Sequence, residues 1–417
     1  MEVYMKDNNS EITTENGKNI ISSNLLEEML SDRDRSIERI RLATEIRKRQ
    51  LAAKNETEYN NISIPDEFLI FKHEPRSAMH YYVSGFTLAD RDGTPRCRYG
   101  AMGAPASVLL PTLYRGELYD YGETAGYSSL GRFIRKQSNC NCDENRYIEL
   151  LISQMRQLCF HIFLTSFHQY TEFPFGAPLA GIIAQHYGLD TPFLDLTDDI
   201  KVALFFASCK HMGNNKYRPI EETDLYELGK YGVLYIGTGH PEHTPIIGYQ
   251  PFCRCHRQRG FYFDTNIVSP CWNHPIDCDK FYFNRTPELS HRLYEYFDGG
   301  KYLFPDDGLS MFEDEIKQIR HTKIFPKGAF DSAFNIFNRY IRHNLQESLT
   351  DSELLDRFQN KDYVLKALKR QGYELCSQLH IHTDNVETIA TLNNAWNPVE
   401  FAEKEGIEYT PLMVKYL

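Results

Sequence analysis

Apolar side chains recur near a 3.6-residue spacing from residue 23 to 54. Leu26, Met29 and Leu30 open the series and Ile37, Ile40, Ala43 and Leu51 continue it, which predicts a helix. The stretch before it, residues 1–22, is rich in Asn, Ser, Glu and Thr and predicts a loose tail. Residues 66–100 change character. The run Phe68-Leu69-Ile70-Phe71 and the turn chemistry of Asp90-Arg91-Asp92-Gly93-Thr94-Pro95 predict short strands and a loop. From about 105 to 320 aromatics and glycines are dense and the elements are mixed. Within this stretch Pro178 and Gly188 bracket one short helix, with Leu179, Ile182 and Ile183 on one face and Gln185, His186 and Tyr187 at its end. Phe193, Leu194 and Leu196 predict a short buried strand. Ile200 to Ala207 is apolar nearly all round and predicts a buried helix, capped by Thr197 or Asp198. Beyond 321 helical spacing returns, in Phe334–Ile341 and Tyr363–Leu368. No internal repeat is visible. The pattern therefore divides the chain into a tail (1–22), an N-terminal helix with small strands (23–100), a main mixed domain (101–320) and a mostly helical C-terminal part (321–417).

Composition sharpens this picture in a few places. The chain has 417 residues, enough for two or three domains, and aromatics are 13% of it, which argues against disorder over most of its length. Lys and Arg total 46 against 57 acidic residues, a formal charge of −11. That balance argues against bulk, non-specific nucleic-acid binding, since phosphate neutralisation needs concentrated cations. The predicted N-terminal helix is a local exception, with Arg33, Arg35, Arg39, Arg41, Arg47, Lys48 and Arg49. It reads either as a solvated face docked on the body or as an arm for nucleic acid or a partner. No apolar run is long enough to span a membrane and the first residues lack the order of a signal peptide, so a cytoplasmic protein with reduced thiols is expected. The Cys-rich segment Cys253, Cys255, His256, Cys271, His274 and Cys278 leaves two readings open: a packing cluster, or a structural zinc held by Cys253, Cys255, Cys271 and Cys278. There is no phosphate-binding P-loop, no Gly-x-Ser-x-Gly turn and no His-Glu-x-x-His helix. His240 and His243, between Gly239 and Pro245, read as loop surface.

Candidate chemistry falls in four segments. In Leu113-Tyr114-Arg115-Gly116 an arginine ends a strand, where it can fork two hydrogen bonds to a phosphate or carboxylate, and a glycine lets backbone approach closely. A structural ion pair is the alternative for Arg115. The second segment carries Gln185, His186 and Tyr187. In the third, Asp195 is either a turn or capping residue or, with Thr197, a strand-end group facing a cleft. The fourth, Pro251 to Phe261, is cationic through Arg254, Arg257 and Arg259, with Gln258 two residues before Gly260.

Taken in order, these segments resemble the FRG domain, whose Phe-Arg-Gly triplet is Tyr114-Arg115-Gly116 here. The resemblance continues in Ser128-Ser129-Leu130-Gly131-Arg132, in residues 185–197, in Arg254-x-x-x-Gln258-x-Gly260 and in Leu303-Phe304-Pro305-Asp306. Phe193 and Leu196 depart from the family's leucine and tryptophan. The order of elements is in turn similar to that of ADP-ribosyltransferases of the arginine-serine-glutamate class. That resemblance implies an α+β fold, with a mixed central sheet flanked by helices, and NAD as substrate. Arg115, Asp195 and Gln258 would be the catalytic group. Tyr114, Gly116, Arg132, His186, Tyr187, Thr197 and Arg254 would line the substrate site. Gly260 stands where that class carries its catalytic glutamate. The function implied is an NAD-using effector, toxin or defence component, bacterial or phage-related, that modifies an acceptor macromolecule. The alternative is a non-catalytic module that senses a nucleotide, nucleic acid or phage protein.

Overall fold

The computed structural model describes residues 12–31, 85–89, 95–99, 112–122, 126, 128, 143–171, 177–238, 252–264, 278–344, 352–377 and 408–410. In chain order the first elements are β1 (Ile12–Glu15), β2 (Lys18–Ile21), α1 (Ser23–Ser31), β3 (Gly85–Ala89), β4 (Pro95–Tyr99) and β5 (Thr112–Glu117). Next come α2 (Asp143–Thr171), α3 (Ala177–His186), β6 (Phe193–Thr197), α4 (Ile200–Ser208), β7 (Cys209–His211) and β8 (Tyr217–Pro219). Then follow α5 (Leu225–Leu228), β9 (Tyr231–Thr238), α6 (Cys253–Arg257), β10 (Gly260–Asp264), β11 (Asp279–Asn284) and α7 (Pro287–Tyr296). The last are α8 (Glu313–His321), β12 (Ile324–Pro326), α9 (Lys327–Asn344), α10 (Ser352–Gln359), α11 (Lys361–Arg370), β13 (Glu374–Cys376) and β14 (Glu408–Thr410).

The fold is α+β. Seven strands form a mixed central sheet in the order β1-β2-β11-β9-β5-β6-β10, in which β2 runs parallel to β11 and the other described pairings are antiparallel. Side chains alternate between its faces. Leu234, Phe281 and Phe283 point to the face covered by α1, α4 and α7, and Leu113, Leu194, Leu196, Val233, Phe261 and Phe263 point to the other. A separate core joins α2 and α3 to α8, α9 and α11 around Phe160, Phe163, Phe330 and Phe334. Burying these aromatics is the main stabilising term, at about 1.5–3 kcal/mol each.

Three expectations change. The stretch read as a loose tail supplies β1 and β2, because Ile20 and Ile21 are buried on opposite faces of the sheet edge. The helix expected over 23–54 is described as Ser23–Ser31, and the remainder lies outside the described residues. The C-terminal part also shares the second core with α2, so packing runs across the boundary expected at 320. The expected strand run 68–71 and the turn 90–94 lie outside the described residues. No helix among the described residues is long and apolar enough to cross a membrane.

Two polar residues, Arg285 and Asp120, brace the central strands. Arg285 is 2% exposed, and its guanidinium donates to four backbone carbonyls: Ala207 O (3.2 Å), Leu228 O (3.2 Å), Gly229 O (3.3 Å) and Leu118 O. It thereby ties the ends of α4, α5 and β5 together, although burial pushes the guanidinium down to about 10. Replacing it with Met strands those carbonyls in the interior. Arg285→Met is expected to cost about 3–5 kcal/mol, read as a lower urea midpoint.

Asp120 accepts from Lys280 Nζ at 2.6 Å and Tyr282 Oη at 2.9 Å and pairs with Lys18 at 3.6 Å. Burial raises its carboxyl, but the hydrogen bonds from Lys280 and Tyr282 outweigh this and hold it at about 2, below its ordinary 3.8. A depressed carboxylate stabilises the fold above its unfolded value and loses that contribution as pH falls through the folded one. Asp120→Asn should therefore remove about 1 kcal/mol near neutral pH, after allowance for solvent screening, with the difference fading as pH falls through ~2. Urea melts at several pH values measure this.

Candidate functional site

One pairing in the described sheet is reduced to a single residue pair. β5 pairs with β9 along its whole length and β6 pairs with β10 along its whole length, but β5 and β6 meet only at Tyr114 and Thr197. Beyond that pair the strands part and a cleft of about 490 Å³ opens between them. Its size falls within the ~300–1,000 Å³ of small-molecule sites.

Gly116 explains how the wall is built. A Cβ there would lie 1.7 Å from Ala203 O, so α4 packs its backbone directly on β5. α4 itself begins cleanly. Asp199 is its N-cap and accepts from Lys201 N at 2.9 Å, while Thr197 Oγ1 accepts from Asp199 N at 3.1 Å. The cap is thus Asp199 rather than Thr197 or Asp198, and Asp198 is a partner of Arg259 instead.

Arg115 bridges the gap between the parted strands. Its Nη1 donates to Asp195 O at 2.9 Å, where a ladder bond would otherwise run, and its Nε donates to Glu117 Oε1 at 3.2 Å. Nη2 takes no partner among the described residues. Glu117 is buried, lies two positions along β5 on the same face and also accepts from Tyr235 Oη at 3.4 Å. Desolvation, followed by the Glu117 charge, pushes the Tyr235 phenol up, so it stays protonated as the donor. Arg115 thus has both an ion pair and an open face on the cleft.

On the opposite wall Asp195 is the accessible acid. Its side chain is 33% exposed, and Gln185 Nε2 donates to its Oδ2 at 3.4 Å. His186 sits behind it with a side chain 1% exposed; Nε2 lies 3.4 Å from Asp195 Oδ1, and Nδ1 lies 3.0 Å from Gln258 Oε1. Gln258 and Gly260 complete this side of the cleft.

Of the residues expected from the sequence, Tyr114, Arg115, Gly116, His186, Asp195, Thr197 and Gln258 line one cleft. Tyr187 and Arg254 do not. Tyr187 donates its hydroxyl to Asp307, and Arg254 stacks 4.0 Å from the Tyr187 ring centre while its Nη1 donates to His186 O at 2.9 Å. Burial pushes the Asp307 carboxyl up against the pull of Tyr187 and Arg254. These groups form a rigid backing to the cleft. The expected cationic strip is likewise dispersed. Arg259 makes a two-pronged ion pair with Asp198 at 2.6 and 2.8 Å, and Arg257 lies over the Tyr302 ring at 4.7 Å. Arg132 lies outside the described residues.

Sequence reasoning missed Glu117, Tyr119, Tyr121, Lys210, His211 and Tyr217, which also line the cleft. Glu117 was within reach of it, since the period of two on a strand sets residues 115 and 117 on one face. Lys210 is held at 3.2 Å from Asp224 and 2.9 Å from Glu227, contacts that no local pattern announces.

For the metal reading, no group of three or more His, Cys, Asp or Glu among the described residues could hold an ion. Of the proposed zinc set, Cys255 is buried against Ile182 and Phe193, and burial holds its thiol well above the ordinary value. Cys278 is part-buried, Cys271 lies outside the described residues and the Cys253 side chain is not among those described.

Comparison with known families gives one finding. The family model of the FRG domain matches residues 111–216, so the chain carries an FRG domain there. The match takes in Arg115, Gly116, His186, Asp195 and Thr197, whereas Gln258 and Gly260 come from beyond it. No curated protein and no solved structure matches the chain.

Proposed function

We propose that this cleft binds NAD and that the protein is an ADP-ribosyltransferase-like enzyme or NAD glycohydrolase. Arg115 would grip the pyrophosphate and Asp195 would be the carboxylate facing the ribose. One observation carries the reading: Arg115 and an accessible Asp195, eighty positions apart, line one cleft where β5 and β6 part, and the guanidinium reaches across to the Asp195 backbone carbonyl. A phosphate-bearing ligand suits the open guanidinium face.

In the reaction the bond from ribose carbon to nicotinamide nitrogen breaks and its electron pair leaves with nicotinamide. Positive charge builds on the ribose, where a carboxylate stabilises it. Water or an acceptor hydroxyl then adds to that carbon and gives up its proton. Asp195 fills the part for which Gly260 has no side chain. In a bacterial or phage setting such an activity would serve an effector, toxin or defence component acting in the cytoplasm.

A second reading is favoured by Gly260 itself and by the pairing of Arg115 with Glu117: a module that binds a nucleotide without cleaving it. Both readings need Arg115. Calorimetric titration with NAD should give saturable binding, weakened about 10- to 100-fold in Arg115→Ala, the worth of one or two charge-assisted hydrogen bonds. Equal affinity in the two proteins would remove Arg115 from the ligand site.

A further inference from the structure

We infer that Gln258, His186 and Asp195 form a chain that holds one proton at the floor of the cleft, with His186 the positioning residue that orients the Asp195 carboxylate; the inference rests on the reading of Asp195 as the group that meets the reacting atoms.

Gln258 Nε2 donates to Leu303 O at 3.0 Å. A carbonyl only accepts, so the amide has one workable orientation and its Oε1 faces His186 Nδ1 at 3.0 Å. That oxygen also only accepts. Nδ1 must therefore carry the hydrogen in every state of the ring, which leaves Nε2 as the variable position.

Nε2 faces Asp195 Oδ1 at 3.4 Å. Both atoms are sealed from solvent and neither meets hydrogen-bond geometry. A bare ring nitrogen against a carboxylate oxygen sets lone pair against lone pair, and no water reaches either atom to relieve it. One proton between them turns this repulsion into an ion pair or a hydrogen bond. The other oxygen, Oδ2, is held by Gln185, whose own Oε1 accepts from the Thr191 hydroxyl. The carboxylate is thus fixed at both ends, with its exposed part directed to the cleft that it lines.

The surrounding charges come from two elements. Arg115 of β5 rests on Asp195 O at 2.9 Å, Arg254 of α6 rests on His186 O at 2.9 Å, and Cys255 of α6 feels the Asp195 charge. Burial holds the Cys255 thiol well above its ordinary value, so it stays neutral. In the chemical step a hydroxyl or water oxygen bound in the cleft breaks its O–H bond as it attacks, and the proton forms a new O–H bond on Asp195. His186 touches no reactant.

The test reads the His186 ring directly, by nitrogen-15 correlation spectra of the ligand-free full chain. Expected in the wild type is hydrogen on Nδ1, with Nε2 sharing the pair's proton. In Asp195→Asn, hydrogen should remain on Nδ1 alone, because Gln258 is untouched and the Asn amide can donate to Nε2. A bare Nδ1 in the wild type, or an Nε2 signal identical in the two proteins, overturns the chain. The ring is assigned from His186→Gln or, if that variant does not fold, from the Asp195→Asn difference spectrum. With NAD as substrate, His186→Gln should lower kcat about tenfold or more, leave NAD affinity unchanged and change the shape of the pH profile. A loss of kcat with an unaltered profile would mark His186 as merely structural and overturn the proposal. The spectra need no turnover, so failure of the NAD reading and failure of the proton chain are seen separately.

Discussion

Gly116→Ala is expected to unfold the wall of the cleft rather than trim it. The new methyl carbon would sit 1.7 Å from Ala203 O and 3.0 Å from Ala207 Cβ, and the first of these is helix backbone that no rotamer change can move. Either α4 lifts from β5 or the strand bends away from its fully paired partner β9. Both routes disturb the core around Phe205, Leu234 and Phe283. The expected loss is about 3–5 kcal/mol, at the upper end for overpacking because backbone must move. Urea melts of the variant beside the wild type measure it. An unchanged midpoint would show that α4 does not press on β5 as described. Since Arg115 is the preceding residue, a folded remnant should also bind NAD more weakly.

Asp195→Asn is expected to act on chemistry and spare the fold. Asn keeps the size of the side chain and an oxygen for Gln185, and the Arg115 bond goes to the backbone carbonyl, which the substitution leaves in place. What disappears is the negative charge facing the cleft. If that charge stabilises the ribose cation, nicotinamide release should fall about 10²- to 10³-fold. NAD affinity should change little, because the pyrophosphate is assigned to Arg115. Release rates and calorimetric Kd, measured on the same preparations, separate the two effects. A loss of affinity with unchanged kcat would assign Asp195 to binding instead.

The elements that carry this site were legible for a physical reason. The Phe193–Leu196 strand and the apolar 200–207 helix are buried on nearly all sides, and such segments write their burial into local hydrophobicity. Arg115, Gly116 and Asp195 stood out because their residue types are unusual at strand positions. The partners were less legible. That Arg254 would turn inward, stack on Tyr187 and lean on His186 O depends on Asp307, some fifty positions away, and charge patterning alone showed only a cationic segment. Arg259 is neutralised by Asp198 for the same kind of reason. The parting of β5 from β6 is a property of register, which no single segment encodes. β1 and β2 were hidden in a polar stretch because only Ile20 and Ile21 of that hairpin are buried.

If the opening between β5 and β6 holds NAD and Asp195 acts on it, a single-turnover experiment with excess protein over NAD will show it, with free nicotinamide as the readout and Asp195→Asn in parallel. The wild type is expected to release nicotinamide and the variant to retain bound, intact NAD. Release at equal rates in both proteins, or intact NAD bound indefinitely by the wild type across buffers and added cell extract, would contradict that reading.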